Sequence, residues 1–285
     1  MDYVNPDALV STDWLAGRLR DVRVVDATYM LPNMAGRGRD AYEDGHIPGA
    51  VFFDIDAIRD DGTELPHMMP GPQKFSSMVG GLGIGDGDSV VVYDSHGGYL
   101  AAARVWWMFR AFGHRHVALL DGGLPKWMKE KRPLGDEIPD PPARSFSARP
   151  NPDLVRGVGQ MLENLDTKRE QVVDARSAPR FKGLEPEPRP AGKRGHIPGS
   201  VNLPFTDLLD PDADFVMRPA PELARIFERF DPERPIVASC GSGVTAAVLA
   251  LGFYLMGRQD IAVYDGSWAE WGNRDDTPVE KGEGP

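Results

Sequence analysis

The sequence predicts an α/β fold built from two tandem copies of one domain, each a mainly parallel sheet flanked by helices on both faces. Three observations lead there. First, four landmarks recur in the same order at nearly constant spacing, the mark of an internal repeat. Val24-Val25-Asp26-Ala27 returns as Val172-Val173-Asp174-Ala175, an offset of 148, and Gly45-His46-Ile47-Pro48-Gly49 returns as Gly195-His196-Ile197-Pro198-Gly199, an offset of 150. Asp121-Gly122 and Trp127 return as Asp265-Gly266 and Trp271, both offset by 144. Second, short β-branched runs alternate with longer helical patterns, which implies parallel strands joined by helical crossovers. Third, a proline-rich stretch divides the copies.

In chain order, the first copy carries a strand pattern at residues 89–93 and a helical one at 101–112. Gly135-Asp136-Glu137-Ile138-Pro139-Asp140-Pro141-Pro142, continuing through Arg149-Pro150-Asn151-Pro152, cannot supply regular ladder donors and reads as an extended linker. The boundary is placed near residue 145, giving a first domain over 1–140, a linker over 141–152 and a second domain over 153–285. In the second copy, residues 236–239 and 261–264 read as strands, and 244–256 as a buried helix.

The 285 residues, 41% of them hydrophobic, suffice for two packed cores. A formal net charge of −11 and the lack of a Lys/Arg run argue against a nucleic-acid partner. No stretch approaches the ~18 consecutive apolar residues of a membrane helix, and the N-terminus lacks a basic start followed by an apolar run, so the expectation is a soluble, cytoplasmic protein without a membrane partner. A single cysteine, Cys240, excludes an intrachain disulfide and a cysteine-cluster metal site, and the six histidines show no close pairing, so no metal is expected.

An unpaired cysteine is either buried filler or chemistry. Its surroundings favour chemistry. Ile236-Val237-Ala238-Ser239 is strand-like, Cys240-Gly241-Ser242-Gly243 is a small-residue turn, and Val244-Thr245-Ala246-Ala247 opens the next helix. Cys240 therefore sits at the carboxyl end of a strand facing a helix N-terminus, where open α/β sheets bind ligands and where loop N–H groups and the macrodipole favour an anion. A cysteine phosphatase would need an arginine six positions on, and that position is Ala246. In the first copy, Val91-Val92-Tyr93 leads to Asp94 where the second has Cys240, so the first domain is expected to be catalytically silent.

The segment Cys240-Gly241-Ser242-Gly243-Val244-Thr245-Ala246 resembles the active-site loop of the 3-mercaptopyruvate sulfurtransferases, members of the rhodanese superfamily. Val105-Trp106-Trp107-Met108-Phe109-Arg110-Ala111-Phe112-Gly113-His114, Asp121-Gly122-Gly123, the segment from Arg180 to Arg189, and Tyr264-Asp265-Gly266-Ser267-Trp268 are similar to the same family in order. The likeness covers essentially the whole chain. It implies two tandem rhodanese-like domains, with Cys240 carrying sulfur as a persulfide. It also implies that Arg180 and Arg189 bind the donor's carboxylate and carbonyl beside the loop residues Gly241, Gly243, Val244 and Thr245, a task suited to planar, permanently charged guanidiniums. In thiosulfate-specific relatives a basic pair follows the cysteine; here Gly241 and Ser242 stand there, which favours 3-mercaptopyruvate over thiosulfate. The family's proposed serine, histidine and aspartate relay maps onto Ser242, His67 and Asp56, with an equally weighted alternative in which His67 satisfies backbone groups of an interdomain loop.

The functional expectation is a sulfurtransferase that passes sulfur from 3-mercaptopyruvate to cyanide or a thiol, reduced thioredoxin among them, without metal or organic cofactor. Thiosulfate:cyanide transfer is the near alternative. A non-catalytic rhodanese-like interaction module is the distant one. His46 and His196, equivalent in the repeat, are expected to serve the turn before a strand, and Trp268 and Trp271 to form core or cleft wall.

Overall fold

The computed structural model describes residues 2–31, 34–97, 99–259 and 261–284. In the first half the elements run β1 (Leu9–Val10), α1 (Thr12–Ala16), β2 (Arg23–Asp26), α2 (Gly38–Asp44), β3 (Val51–Phe52), α3 (Pro72–Gly81), β4 (Val90–Tyr93), α4 (Ala102–Ala111), β5 (Val117–Leu120) and α5 (Gly123–Lys129). The second half repeats them as β6 (Val155–Arg156), α6 (Val158–Thr167), β7 (Gln171–Asp174), α7 (Ala178–Phe181), β8 (Val201–Asn202), then, after an added antiparallel pair β9 (Leu209–Asp210) and β10 (Val216–Met217), α8 (Ala220–Phe227), β11 (Ile236–Ser239), α9 (Ala246–Leu255), β12 (Ile261–Tyr264) and α10 (Ser267–Trp271).

Each half holds a five-stranded parallel sheet, ordered β1-β5-β4-β2-β3 and β6-β12-β11-β7-β8. Strand for strand the two orders are the same. The central strands β4 and β11 are buried along their whole length, as strands covered on both faces must be. Their side chains alternate with period two. Val91 and Tyr93 join a cluster with Leu15, Tyr42 and Trp127 on the outer face, whereas Val90 and Val92 face Phe75, Val105 and Phe109. In the second half Val237 faces Trp268 and Trp271, while Ile236 and Ala238 share the large inner core with α9. That inner core is continuous between the halves, because α4 packs directly on α9.

Two refinements to the sequence reading follow. Helix α9 begins at Ala246, so Val244 and Thr245 extend the cysteine loop instead of the helix. Residues 136–151 contain no helix or strand, yet they are laid down on the first half: Arg144 N–H donates to Gly80 O at 2.9 Å, Arg149 N–H to Phe112 O at 2.8 Å, and buried Phe146 meets Phe75 edge-on. The prolines prevent a ladder, but the intervening N–H groups still find acceptors, and Phe146 a pocket. Among the described residues, no helix is long and apolar enough to cross a membrane.

Candidate active site

Cys240 is the first residue after β11 and is only 2% exposed. The turn between β12 and α10 holds its backbone from behind. Cys240 N–H donates to Ser267 Oγ (3.1 Å), Trp268 N–H to Cys240 O (3.0 Å), and Ala269 N–H to Gly241 O (2.8 Å). Ser267 reaches this position only by adopting φ = 48°, an uncommon angle for a side chain without special reason to be there. Gly243, at φ = 73°, is required on two counts, since a Cβ there would also lie 2.6 Å from Asp265 O.

Comparison with the first half shows what the loop leaves open. Asp94 occupies the place after β4, and its Oδ2 accepts N–H bonds from Leu100, Ala101 and Ala102 at 2.9 to 3.0 Å while Oδ1 accepts from His96 at 2.8 Å. One half thus holds a built-in carboxylate at a helix N-terminus. In the other half, among the described residues, no backbone carbonyl accepts from the N–H groups of Gly241, Ser242, Gly243, Val244 or Thr245. Those donors, with the N-terminus of α9, are left for an anion on or beside the cysteine.

Cys240 opens onto a cavity of about 200 Å³ between the halves. Its lining includes Gly241, Ser242, Val244, Thr245, Arg180 and Arg189, so the structure brings seven of the ten expected residues to one wall. Gly243, His67 and Asp56 are not part of that lining. Apolar walls come from Leu31, Leu100, Phe205 and Trp268, the last confirming its expected position at the cleft, whereas Trp271 is wholly core.

Arg180 is held by Glu187, which accepts from its Nε at 3.1 Å and from its Nη2. Glu187 also accepts from Arg176 Nη1 at 2.7 Å, and Arg176 in turn forks onto Asp174 and lies over the Trp268 ring at 4.3 Å. Burial works against the Arg176 charge, but Asp174 and Glu187 outweigh it and hold its pKa above the ordinary value. Gly241 leaves the space: a Cβ there would stand 2.8 Å from Arg180 Nη2.

Arg189 meets the first half. Its Nη2 donates to Tyr29 Oη at 2.5 Å and to His67 Nε2 at 2.9 Å. Accepting at Nε2 places the imidazole proton on Nδ1, which faces Asp56 Oδ1 at 3.2 Å. Burial, reinforced by Arg189 and Arg104, pushes the His67 pKa below its ordinary value despite Asp56. Asp56 is lowered in return, chiefly by its pairing with His67. Of the three residues expected to form a relay, Asp56 and His67 are paired, whereas Arg189 occupies Nε2 of His67 and among the described residues no hydrogen bond joins Ser242 to His67.

Sequence reasoning missed Arg176, Glu187, Tyr29 and the pinning role of Ser267. One signal was available for Arg176: it stands where the first copy has Thr28, a charge replacing a neutral residue just past a repeated strand. His46 and His196 are fully buried and bond to the carbonyls of Tyr42 and Phe181 through Nδ1, in keeping with a shared role in the turn.

The family model for the rhodanese-like domain matches residues 11–130 and again 158–274. Human 3-mercaptopyruvate sulfurtransferase is 45% identical over 273 residues, covering 93% of this chain and 91% of the relative. The Arabidopsis thaliana protein named thiosulfate/3-mercaptopyruvate sulfurtransferase 1, mitochondrial, is 41% identical, covering 96% of this chain and 78% of the relative. Among solved structures, SseA from Escherichia coli, described as a 3-mercaptopyruvate sulfotransferase of rhodanese fold, superposes with a TM-score of 0.82 at 37% identity, covering 92% of this chain and 98% of that one.

Proposed function

Since this chain belongs to the rhodanese family, with both of its halves matching the domain, we propose that it moves sulfur from 3-mercaptopyruvate to a thiophilic acceptor through a persulfide on Cys240. The observation that carries this reading is the cavity that joins the Cys240 loop to Arg180 and Arg189. The thiolate attacks the donor's sulfur, the C–S bond breaks, and its electron pair leaves on C3 as the enolate of pyruvate. The donor's thiol proton balances the step by ending on C3, so a thiolate and 3-mercaptopyruvate become a persulfide anion and pyruvate. Loop N–H groups from Gly241 to Thr245 stabilise the sulfur anion before and after transfer.

Arg180 and Arg189 hold the carboxylate and carbonyl, which fixes the sulfur toward Cys240 and steadies the developing enolate. Ser242, which lines the cavity, passes the proton. His67 and Asp56 act through Arg189, aligning it from behind. The second step hands the outer sulfur to cyanide or to a dithiol such as reduced thioredoxin, and a cytoplasmic location would supply such thiols.

Thiosulfate is the competing donor. Glu187 already offsets part of the charge of Arg180, and no basic pair follows Cys240, so the site offers less to a dianion than to the monoanionic keto acid. The test is steady-state pyruvate release and thiocyanate formation with both donors in parallel. A larger kcat/KM for 3-mercaptopyruvate is expected; preference for thiosulfate would keep the persulfide and overturn the donor. Cys240→Ser is expected to abolish both transfers in a folded protein, and residual transfer would defeat the persulfide itself.

A further inference from the structure

We propose that Arg104, contributed by helix α4 of the silent domain, is a positioning residue that holds the Cys240 loop, the turn behind it and His67 in one geometry; this rests on the reading of Cys240 as the sulfur carrier. Arg104 is 0% exposed. Its Nη1 donates to Gly243 O at 3.2 Å, and its Nη2 to Asp265 Oδ1 at 2.6 Å and to His67 O at 2.5 Å. The guanidinium also lies over the Trp107 ring, 4.5 Å from its centroid. A single planar cation thus reaches three separate parts of the site.

Burying a cation is costly even when it is paired, so a cheaper joint would be expected if only domain adhesion were at stake. The molecule contains that cheaper joint. Asp265 accepts Met69 N–H across the domain boundary at 2.7 Å, and its repeat equivalent Asp121 accepts Met217 N–H across the same boundary at 2.9 Å. At the Asp121 end the other hydrogen-bond partner among the described residues is the neutral Tyr99 hydroxyl. The position on α9 equivalent to Arg104, offset by 144, is the buried apolar Val248. The buried arginine stands at the joint that adjoins the cysteine; among the described residues no arginine bonds to Asp121, whose nearby cation is Lys126.

Its effect on the loop is geometric. Fixing Gly243 O fixes the plane of the Gly243–Val244 peptide, and with it the direction of the Val244 N–H on the opposite side. Val244 N–H is the counterpart, again offset by 144, of Leu100 N–H, one of the donors that Asp94 engages in the silent half. Holding the carbonyl of His67, itself at φ = 59°, sets the ring against Arg189.

The experiment uses the full chain with Arg104→Lys and Arg104→Met, measuring kcat and KM for 3-mercaptopyruvate, the rate of Cys240 alkylation by iodoacetamide, and Tm. Misplacement of a reacting group by ~1 Å can cost ~100-fold in rate, so Arg104→Met is expected to lose ~10- to 100-fold in kcat per folded molecule, with KM moving much less and alkylation slowed. Arg104→Lys keeps a charge for Asp265 but cannot reach all three acceptors, and is expected to fall between. A lower Tm with unchanged kcat and alkylation would overturn the role. If neither variant folds, Asp265→Asn is compared with Asp121→Asn: a kcat loss confined to the former supports the role, and equal kcat in both overturns it. Retained transfer by Cys240→Ser would defeat the persulfide reading, whereas an unaffected Arg104→Met in a protein that needs Cys240 defeats only the positioning role.

Discussion

Gly241 sets how near Arg180 comes to the sulfur. Because a Cβ at that position would stand 2.8 Å from Arg180 Nη2, Gly241→Ala is expected to push the guanidinium back and raise KM for 3-mercaptopyruvate several-fold while kcat changes less, the pattern of weakened ground-state binding. Steady-state pyruvate release checks this, and an unchanged KM would show that Arg180 moves aside freely. His67 makes a pH prediction. Its pKa is lowered in the fold, chiefly by burial, so between that value and the ordinary ~6.5 the unfolded chain binds the proton more readily. The stabilisation is complete above ~6.5 and is lost as the pH falls through the folded value. Denaturant titrations of wild type and His67→Asn from pH 7 downward are expected to show a steeper loss in the wild type; parallel slopes would remove His67 from the account.

At the scale of elements, the turn from β12 to α10 matters as much as the loop it supports. Ser267 sits at φ = 48°, where the first half uses Gly123 at φ = 54°, and it spends its hydroxyl on Cys240 N–H and Tyr264 O. Ser267→Ala keeps the strained angle and loses both bonds, so a destabilisation of ~1–3 kcal/mol is expected. Ser267→Gly loses the same bonds but relieves the angle and is expected to cost less; denaturant unfolding of the pair would refute the strain argument if the glycine variant were the weaker. The sequence made the strands and the repeat legible because β-branched runs and exact landmarks are local signals. Val244 and Thr245 were read as helix because apolar spacing does not distinguish a helix from a loop whose amides are reserved for an anion. Arg104 stayed hidden inside an apolar helix pattern, and Arg189 at His67 Nε2 in place of Ser242 could not be read, since both depend on how two domains meet across more than a hundred residues.

For the molecule as a whole, the halves are stitched at several points. The inner faces of both sheets share one core through α4 and α9, nine of whose ten residues are buried in each case. The N-terminal segment returns to the second half, with Val4 N–H donating to Leu255 O at 2.8 Å and Tyr3 Oη to Arg218 O at 2.7 Å. We therefore expect calorimetric unfolding in one cooperative transition, and separately expressed halves that stay insoluble or unfolded; two resolved transitions would show that the shared core contributes little. The carboxylate of Asp94 carries one more consequence. Because its Oδ atoms take up four backbone donors among the described residues of the first half, that half is saturated by its own side chain. The repeat is thus symmetric in architecture but not in capacity, and isothermal titration with sulfite, a small oxyanion, should return a stoichiometry of one per chain, not two.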